Sequence, residues 1–193
     1  EIMSDFEYDS LYEELKSLEA ANGPLPGSPT LRPGIDTPTD SRLKKVTHEK
    51  PALSLDKTKE IHVLVDWLGS LPGVISWKMD GITIVATYDG GKLRTAVTRG
   101  NGLVGEDVTH NAKNFSGLPG NIPFKGKLTV RGEAVMTYEE FNRINESLPV
   151  GEEPYKNPRN LAAGTIRLLD GIGDRTINFY AFDLVDAFEG GEV

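Results

Sequence analysis

Residues 74–99, VISWKMDGITIVATYDGGKLRTAVTR, decide the fold. β-Branched and aromatic residues alternate from Val74 to Tyr88, Asp89-Gly90-Gly91-Lys92 supplies turn chemistry, and Leu93–Arg99 returns as a second strand. The pattern predicts a β-hairpin whose first arm carries Lys78. On that arm Trp77 and Met79 fall on one face and Lys78 and Asp80 on the other, while Gly81 lets another group approach the backbone closely. A strand lysine is ordinarily a solvated edge residue. The neighbours of Lys78 open a second reading. An amine nucleophile needs a desolvated or cation-rich pocket to lose its proton, and a nearby acid can orient it or hold a metal. Lys78 beside Asp80 suits covalent catalysis by lysine.

Outward from the hairpin, SDFEYDSLYEELKSLEAA (residues 4–21) reads as an amphipathic helix, with Ser4 as N-cap and Phe6, Leu11, Leu15 and Leu18 near helical spacing. The Gly- and Pro-rich stretch at 22–38 ends it and marks a connector. In residues 56–73, Ile61, Val65 and Leu68 share a helical face and Gly69 stops the helix. KLTVRGEAVM (127–136) and NFYAFDLVDA (178–187) read as strands. Between them TYEEFNRINESL (137–148) reads as a helix capped by Thr137, with Glu140 at its third position. Strands and helices follow one another without regular βαβ alternation, which predicts an α+β domain of mainly antiparallel sheets with flanking helices.

The chain has 193 residues, 38% of them hydrophobic, enough for a good-sized core. It has no cysteine, which excludes disulfides, thiolate metal sites and cysteine nucleophiles. A formal net charge of −8 argues against this chain alone gripping a phosphate backbone. No run approaches the roughly 18–20 apolar residues of a membrane span, and EIMSDFEYDS has no signal-peptide character. A soluble protein of the cytoplasm, with no membrane partner, is expected. Because the chain begins at Glu1 and ends on FEGGEV, it also reads as part of something longer.

Three further stretches could carry chemistry. TRGNGLVGEDVT (98–109) is a glycine-rich loop after a strand, a loose pattern that serves plain turns as well as phosphate binding, with Arg99 adding a fork for phosphate. VRGEAVM (130–136) puts Arg131 and Glu133 on one strand face, either as an ion pair or as ligand contacts. NPRNLAAGTIRLLD (157–170) joins an Asn-Pro turn, a small-residue run, Arg159 and Arg167; capping or pairing is the default role of each arginine.

Taken together, KMDG (78–81), TRGNGLVGEDVT, VRGEAVM and NPRNLAAGTIRLLD resemble, in order and spacing, the adenylation domain of bacterial NAD-dependent DNA ligases. DFEYDSLYEELKSLE (5–19) is similar to that family's small helical domain, and HEKPALSLDK (48–57) to the segment before its nucleotide pocket. The resemblance implies a nucleotidyltransferase-type α+β fold. It divides the chain into a partial N-terminal helical domain (1–24), a connector (25–45) and an adenylation domain (46–193) incomplete at its C-terminus. In the family the motif lysine, here Lys78, attacks the α-phosphate of NAD, releases nicotinamide mononucleotide and keeps AMP as a phosphoramidate. Asp80 and Gly81 complete the motif. Arg99 and Glu133 contact the ribose region, and Ser54 and Leu55 line the adenine side. Phe182 stacks on adenine, an arrangement suited to an aromatic face. Arg159 and Arg167 handle phosphate and nicked DNA. Asp5, Tyr8 and Asp9 recognise the nicotinamide mononucleotide half, whose cationic ring suits acidic neighbours.

The same resemblance implies NAD and Mg2+ as cofactors, without assigning any residue here as a metal ligand. It implies nicked double-stranded DNA as partner of the full-length enzyme, work in DNA replication and repair, and a monomer. The chain departs from the family at Ser76, where a glutamate usually helps to read adenine. The family's Tyr-His pair would lie upstream of Glu1, and its later motifs, OB-fold and DNA-binding regions do not occur before Val193. These departures keep open a non-catalytic or truncated nucleotide-binding relative as the alternative. A relation to ATP-using ligases or capping-type enzymes fits the helical block and NPRN less well.

Overall fold

Alternating apolar and polar residues build strand β2 (Ile82–Asp89), which turns through Gly90 and Gly91 into its antiparallel partner β3 (Lys92–Thr98). Both turn glycines take positive φ, 61° and 77°, the backbone a two-residue turn of this twist demands and that residues with a Cβ resist. The computed structural model describes residues 5–23, 42–53 and 57–188. The chain divides into two units, Glu1–Pro38 and Thr39–Val193. In the first, helix α1 (Asp5–Asn22) forms as its periodicity predicts and ends at Gly23, whose φ is 75°. Its proposed cap, Ser4, lies outside the described residues.

In the second unit the order is β1 (Lys45–Thr47), α2 (Ile61–Leu68), the β2–β3 hairpin, β4 (Val104–Glu106), α3 (Thr109–Ala112), β5 (Lys127–Val135), α4 (Tyr138–Glu146), α5 (Pro158–Ile166) and β6 (Asn178–Phe188). A four-stranded sheet runs β3-β2-β5-β6 and a two-stranded one pairs β1 with β4, every pairing antiparallel. The domain is therefore α+β with antiparallel sheets and a few helices. One sheet face, with Ile84, Ala86, Tyr88, Ala96 and Ala134, packs on Ala112, Ile144, Leu161, Ala162 and Ile166 of the helices to form the core. No described helix is long and apolar enough to cross a membrane.

Helices α4 and α5 start where side chains can satisfy free N–H groups. Thr137 Oγ1 accepts from Glu140 N at the start of α4. Asn157 Oδ1 accepts from Arg159 N and Asn160 N ahead of Pro158 in α5. The Glu140 carboxylate turns away from its own cap; it accepts from Arg143 Nε at 2.7 Å and Nη2 at 2.8 Å, and from Thr176 N at 2.8 Å. It thereby joins α4 to the segment leading into β6.

One expectation needs correction. The first arm of the hairpin begins at Ile82, not Val74, and Lys78 and Asp80 lie on an irregular segment before the strand. Val74, Ile75 and Trp77 are 95, 101 and 91% exposed. Alternation describes side chains, whereas a strand also needs a ladder partner. β5 reaches its last β2 partner at the Ile82–Ala134 pair, keeps β6 for one residue more, and then leaves to start α4. Helix α2 forms and ends at Gly69 as expected, yet it buries none of its residues. No pattern in the sequence announces strands β1 and β4 or helix α3.

What ties the small sheet to the body is Glu106, only 3% exposed. Its carboxylate accepts from Lys45 Nζ at 3.0 Å and from Arg167 Nε at 2.6 Å, and its N–H donates to Thr98 Oγ1 at 2.9 Å. Arg167 also donates to the carbonyl of Ala163 at 2.9 Å, closing the last turn of α5. A buried carboxylate that loses a cation is costly, and the partial exposure of both cations reduces the cost. Arg167→Ala is expected to destabilise the domain by about 2 kcal/mol, lowering Tm by about 4–8 °C in a thermal melt.

The hydrogen bonds from Arg143 come first among the causes that hold the Glu140 carboxyl below the usual glutamate range. Because the folded pKa is depressed, the stability this group contributes is present above the unfolded value and is lost as pH falls through the folded one. Glu140→Gln should cost about 1.5–3 kcal/mol at pH 7. The gap from wild type in urea-melt midpoints should narrow as pH drops below about 4.

Candidate active site

Gly81 is where the irregular segment carrying Lys78 joins the sheet. A Cβ at Gly81 would run into the carbonyl oxygen of Ala134 and come within 2.6 Å of Val135 Cγ1, so β5 can approach this closely only if the residue is glycine. The Gly81 N–H donates to Glu133 Oε1 at 3.2 Å, and the Thr83 hydroxyl donates to Glu133 Oε2 at 2.8 Å. Thr83 and Glu133 face each other in the β2–β5 register. With Val85, Thr87, Thr129 and Arg131 they share the sheet face opposite the core.

On the segment itself Ser76, Lys78 and Asp80 are all exposed. The partner of Asp80 is not Lys78: its Oδ1 accepts from Arg159 Nη1 at 3.1 Å. Asp80 and Arg159 are 71 and 53% exposed, and a pair so open to water contributes about 0–1 kcal/mol, so Arg159 can leave it for a competing anion. Arg159 sits in the first turn of α5, which thus overhangs the motif segment.

The glycine-rich loop closes the same end of the sheet. Arg99, half-buried, donates its N–H to the Thr83 carbonyl at 2.9 Å. His48 Nε2 lies 3.1 Å from the carbonyl oxygens of both Thr98 and Arg99, while the N–H groups of His48 and Ala52 donate to the carbonyls of Leu103 and Gly102. These bonds strap residues 48–52 along the loop. Ser54 and Leu55, which follow, lie outside the described residues.

The remaining candidates are spread more widely. Arg131 pairs with Asp183 at 3.1 Å rather than with Glu133. Arg167 belongs to the Glu106 node. Phe182, 60% exposed, is the unpaired extra residue between the Arg131–Asp183 and Gly132–Ala181 pairs of β5 and β6. Asp5, Tyr8 and Asp9 lie on α1, with side chains outside the described set. Farther along the open sheet face is a cavity of about 400 Å3, lined by Val85, Thr87, Val97, Thr129, His48 and Lys50 among others. Among the described residues no group of three or more His, Asp or Glu could hold a metal ion.

Sequence reasoning missed Thr83 and His48. Thr83 had a usable signal, a hydroxyl two residues beyond Gly81 and therefore on its strand face. His48 had none, because its partners are backbone carbonyls some fifty positions away. Hydrogen bonds thus link Gly81, Thr83, Glu133 and the Arg99 backbone at the entry to β2, and the Asp80–Arg159 pair joins the segment two residues after Lys78. The carboxylate suits hydroxyl groups, the arginine suits an anion, and the amine is a candidate nucleophile.

The chain matches the family model described as NAD-dependent DNA ligase adenylation domain over residues 40–190. It is 54% identical over 188 residues to a DNA ligase of Lachnoclostridium phytofermentans, which covers 96% of this chain and 28% of that protein. It is 48% identical over 190 residues to one from Ruminiclostridium cellulolyticum (97% and 29%) and 40% identical over 203 residues to one from Halothermothrix orenii (97% and 30%). The chain thus spans less than a third of the length of the curated relatives it matches. With the family model covering most of the chain and the motif segment anchored to the central strand of an antiparallel sheet, the chain belongs to the NAD-dependent DNA ligase adenylation domain family.

Proposed function

We propose that this chain carries out the nucleotidyl-transfer step of an NAD-dependent DNA ligase. The carrying observation is the double clasp on Glu133, which secures the Lys78–Gly81 segment to β5 and leaves the lysine open to a ligand. The Lys78 amine attacks the α-phosphate of NAD. A phosphorus–nitrogen bond forms, the pyrophosphate P–O bond breaks, nicotinamide mononucleotide departs and the amine releases a proton to solvent. Glu133 and Arg99 hold the ribose, and Arg159 exchanges Asp80 for phosphate. Ser54, Leu55, Ser76 and Phe182 border the adenine, and Arg167 keeps α5 in position. In the helical piece, residues 1–24, Asp5, Tyr8 and Asp9 serve the nicotinamide mononucleotide half.

Mg2+ would take much of its coordination from phosphate oxygens, as this ion usually does, since the described residues supply no ready-made cluster of carboxylates. The longer enzyme would act as a cytoplasmic monomer that seals nicked double-stranded DNA in replication and repair. The acidic balance of this chain argues that the basic DNA grip comes from elsewhere. Ser76 favours a second reading, a nucleotide-binding relative that binds without transfer.

Incubation with adenine-labelled NAD should leave acid-labile label on the protein, and Lys78→Ala should abolish it. Calorimetric binding of NAD without any label would favour the second reading instead. Ser76→Glu restores a charged acceptor beside adenine and should lower the NAD concentration for half-maximal labelling about fivefold, worth about 1 kcal/mol; an unchanged or higher value would remove Ser76 from the adenine side.

A further inference from the structure

Thr83 belongs to none of the motif blocks, yet it touches two of them. Its hydroxyl donates to Glu133 Oε2 at 2.8 Å, and its carbonyl accepts the Arg99 N–H at 2.9 Å. We infer that Thr83 is a positioning residue that sets the plane of the Glu133 carboxylate for the nucleotide ribose. The inference rests on the reading of Glu133 as the ribose-contacting group.

The terminal torsion of a glutamate is broad, and a carboxylate held by one donor swings about that bond. The Gly81 N–H holds Oε1 alone. The Thr83 hydroxyl adds a second point on Oε2, and two points define the plane. An ionised carboxylate offers about four lone-pair sites, so two remain for a ligand's hydroxyls on the open face. Threonine suits this role because a β-branched residue is at home in a strand and its χ1 is stiff, so the donor itself does not wander. Register delivers the pair, since Thr83 is directly opposite Glu133. Deleting the hydroxyl would free the carboxylate and leave Oε2 without its only side-chain donor on β2.

The test compares Thr83→Val, which keeps the shape and removes the donor, with Thr83→Ser, which keeps the donor, in the full chain. Label uptake from adenine-labelled NAD is followed across NAD concentrations, alongside thermal melts. Thr83→Val should raise the NAD concentration for half-maximal labelling about fivefold with little change in the saturating rate. Thr83→Ser should stay near wild type. In a Glu133→Ala background, Thr83→Val should add nothing further, because the group it positions is gone. Wild-type NAD dependence in Thr83→Val, or an undiminished fivefold loss on top of Glu133→Ala, would overturn the inference. A Thr83→Val chain that melts early would leave Thr83→Ser to decide, and loss of NAD dependence in that variant too would reduce Thr83 to a structural role. A wild-type chain that takes no label overturns the adenylation reading itself, and Thr83's role with it.

Discussion

Glu133 is the constraint on which the site depends. One carboxylate on a central strand accepts from Gly81, just ahead of β2, and from Thr83 within it, and so ties the motif segment to the sheet. Gly81 must lack a Cβ because the backbone of β5 lies directly against it. Without the close approach the N–H could not reach Oε1, and the lysine three residues earlier would have no fixed root. The motif segment is therefore exposed and still anchored: Glu133 is half-buried, while Ser76, Lys78 and Asp80 stand in solvent.

The two arginines of the α5 block show how burial separates roles that sequence cannot. Both meet a carboxylate. Arg159 meets Asp80 in water, where the pair contributes little and exchanges readily. Arg167 meets Glu106 where the carboxylate is almost fully enclosed and Lys45 shares it, so releasing it would strand a buried charge. One arginine is available to a phosphate, and the other binds β1, β4 and the end of α5 into one piece. Helix α5 needs that fastening, because its first turn carries the residue that overhangs Asp80.

Much of the fold was legible because it rests on local physics. The Asp-Gly-Gly-Lys turn admits few backbones, the Thr137 cap satisfies an N–H group within its own helix, and the periods of α4, β5 and β6 are short-range patterns. What escaped was set by distant partners. β1 and β4 are three-residue strands that exist because each finds the other, and α3 is a single turn with no side-chain cap at Val108. The alternation of Val74–Tyr88 overran the true strand because pairing ends where β5 departs for α4. Helix α2 shows the converse. Its apolar face is a sound local signal, and nothing among the described residues covers it.

For the site, the sequence by itself determined the chemistry available: one lysine ahead of Asp-Gly, a glycine-rich loop, a Glu on a strand, two arginines flanking a small-residue helix, and the family these blocks resemble. It could do so because motif identity depends on residue type and order. Only the tertiary structure decided which acid meets which base. Asp80 goes to Arg159, Glu106 to Arg167 and Lys45, Arg131 to Asp183, and Glu133 to Gly81 and Thr83. These partners lie up to 79 positions apart. Their distances come from strand register and helix docking, which no local pattern encodes.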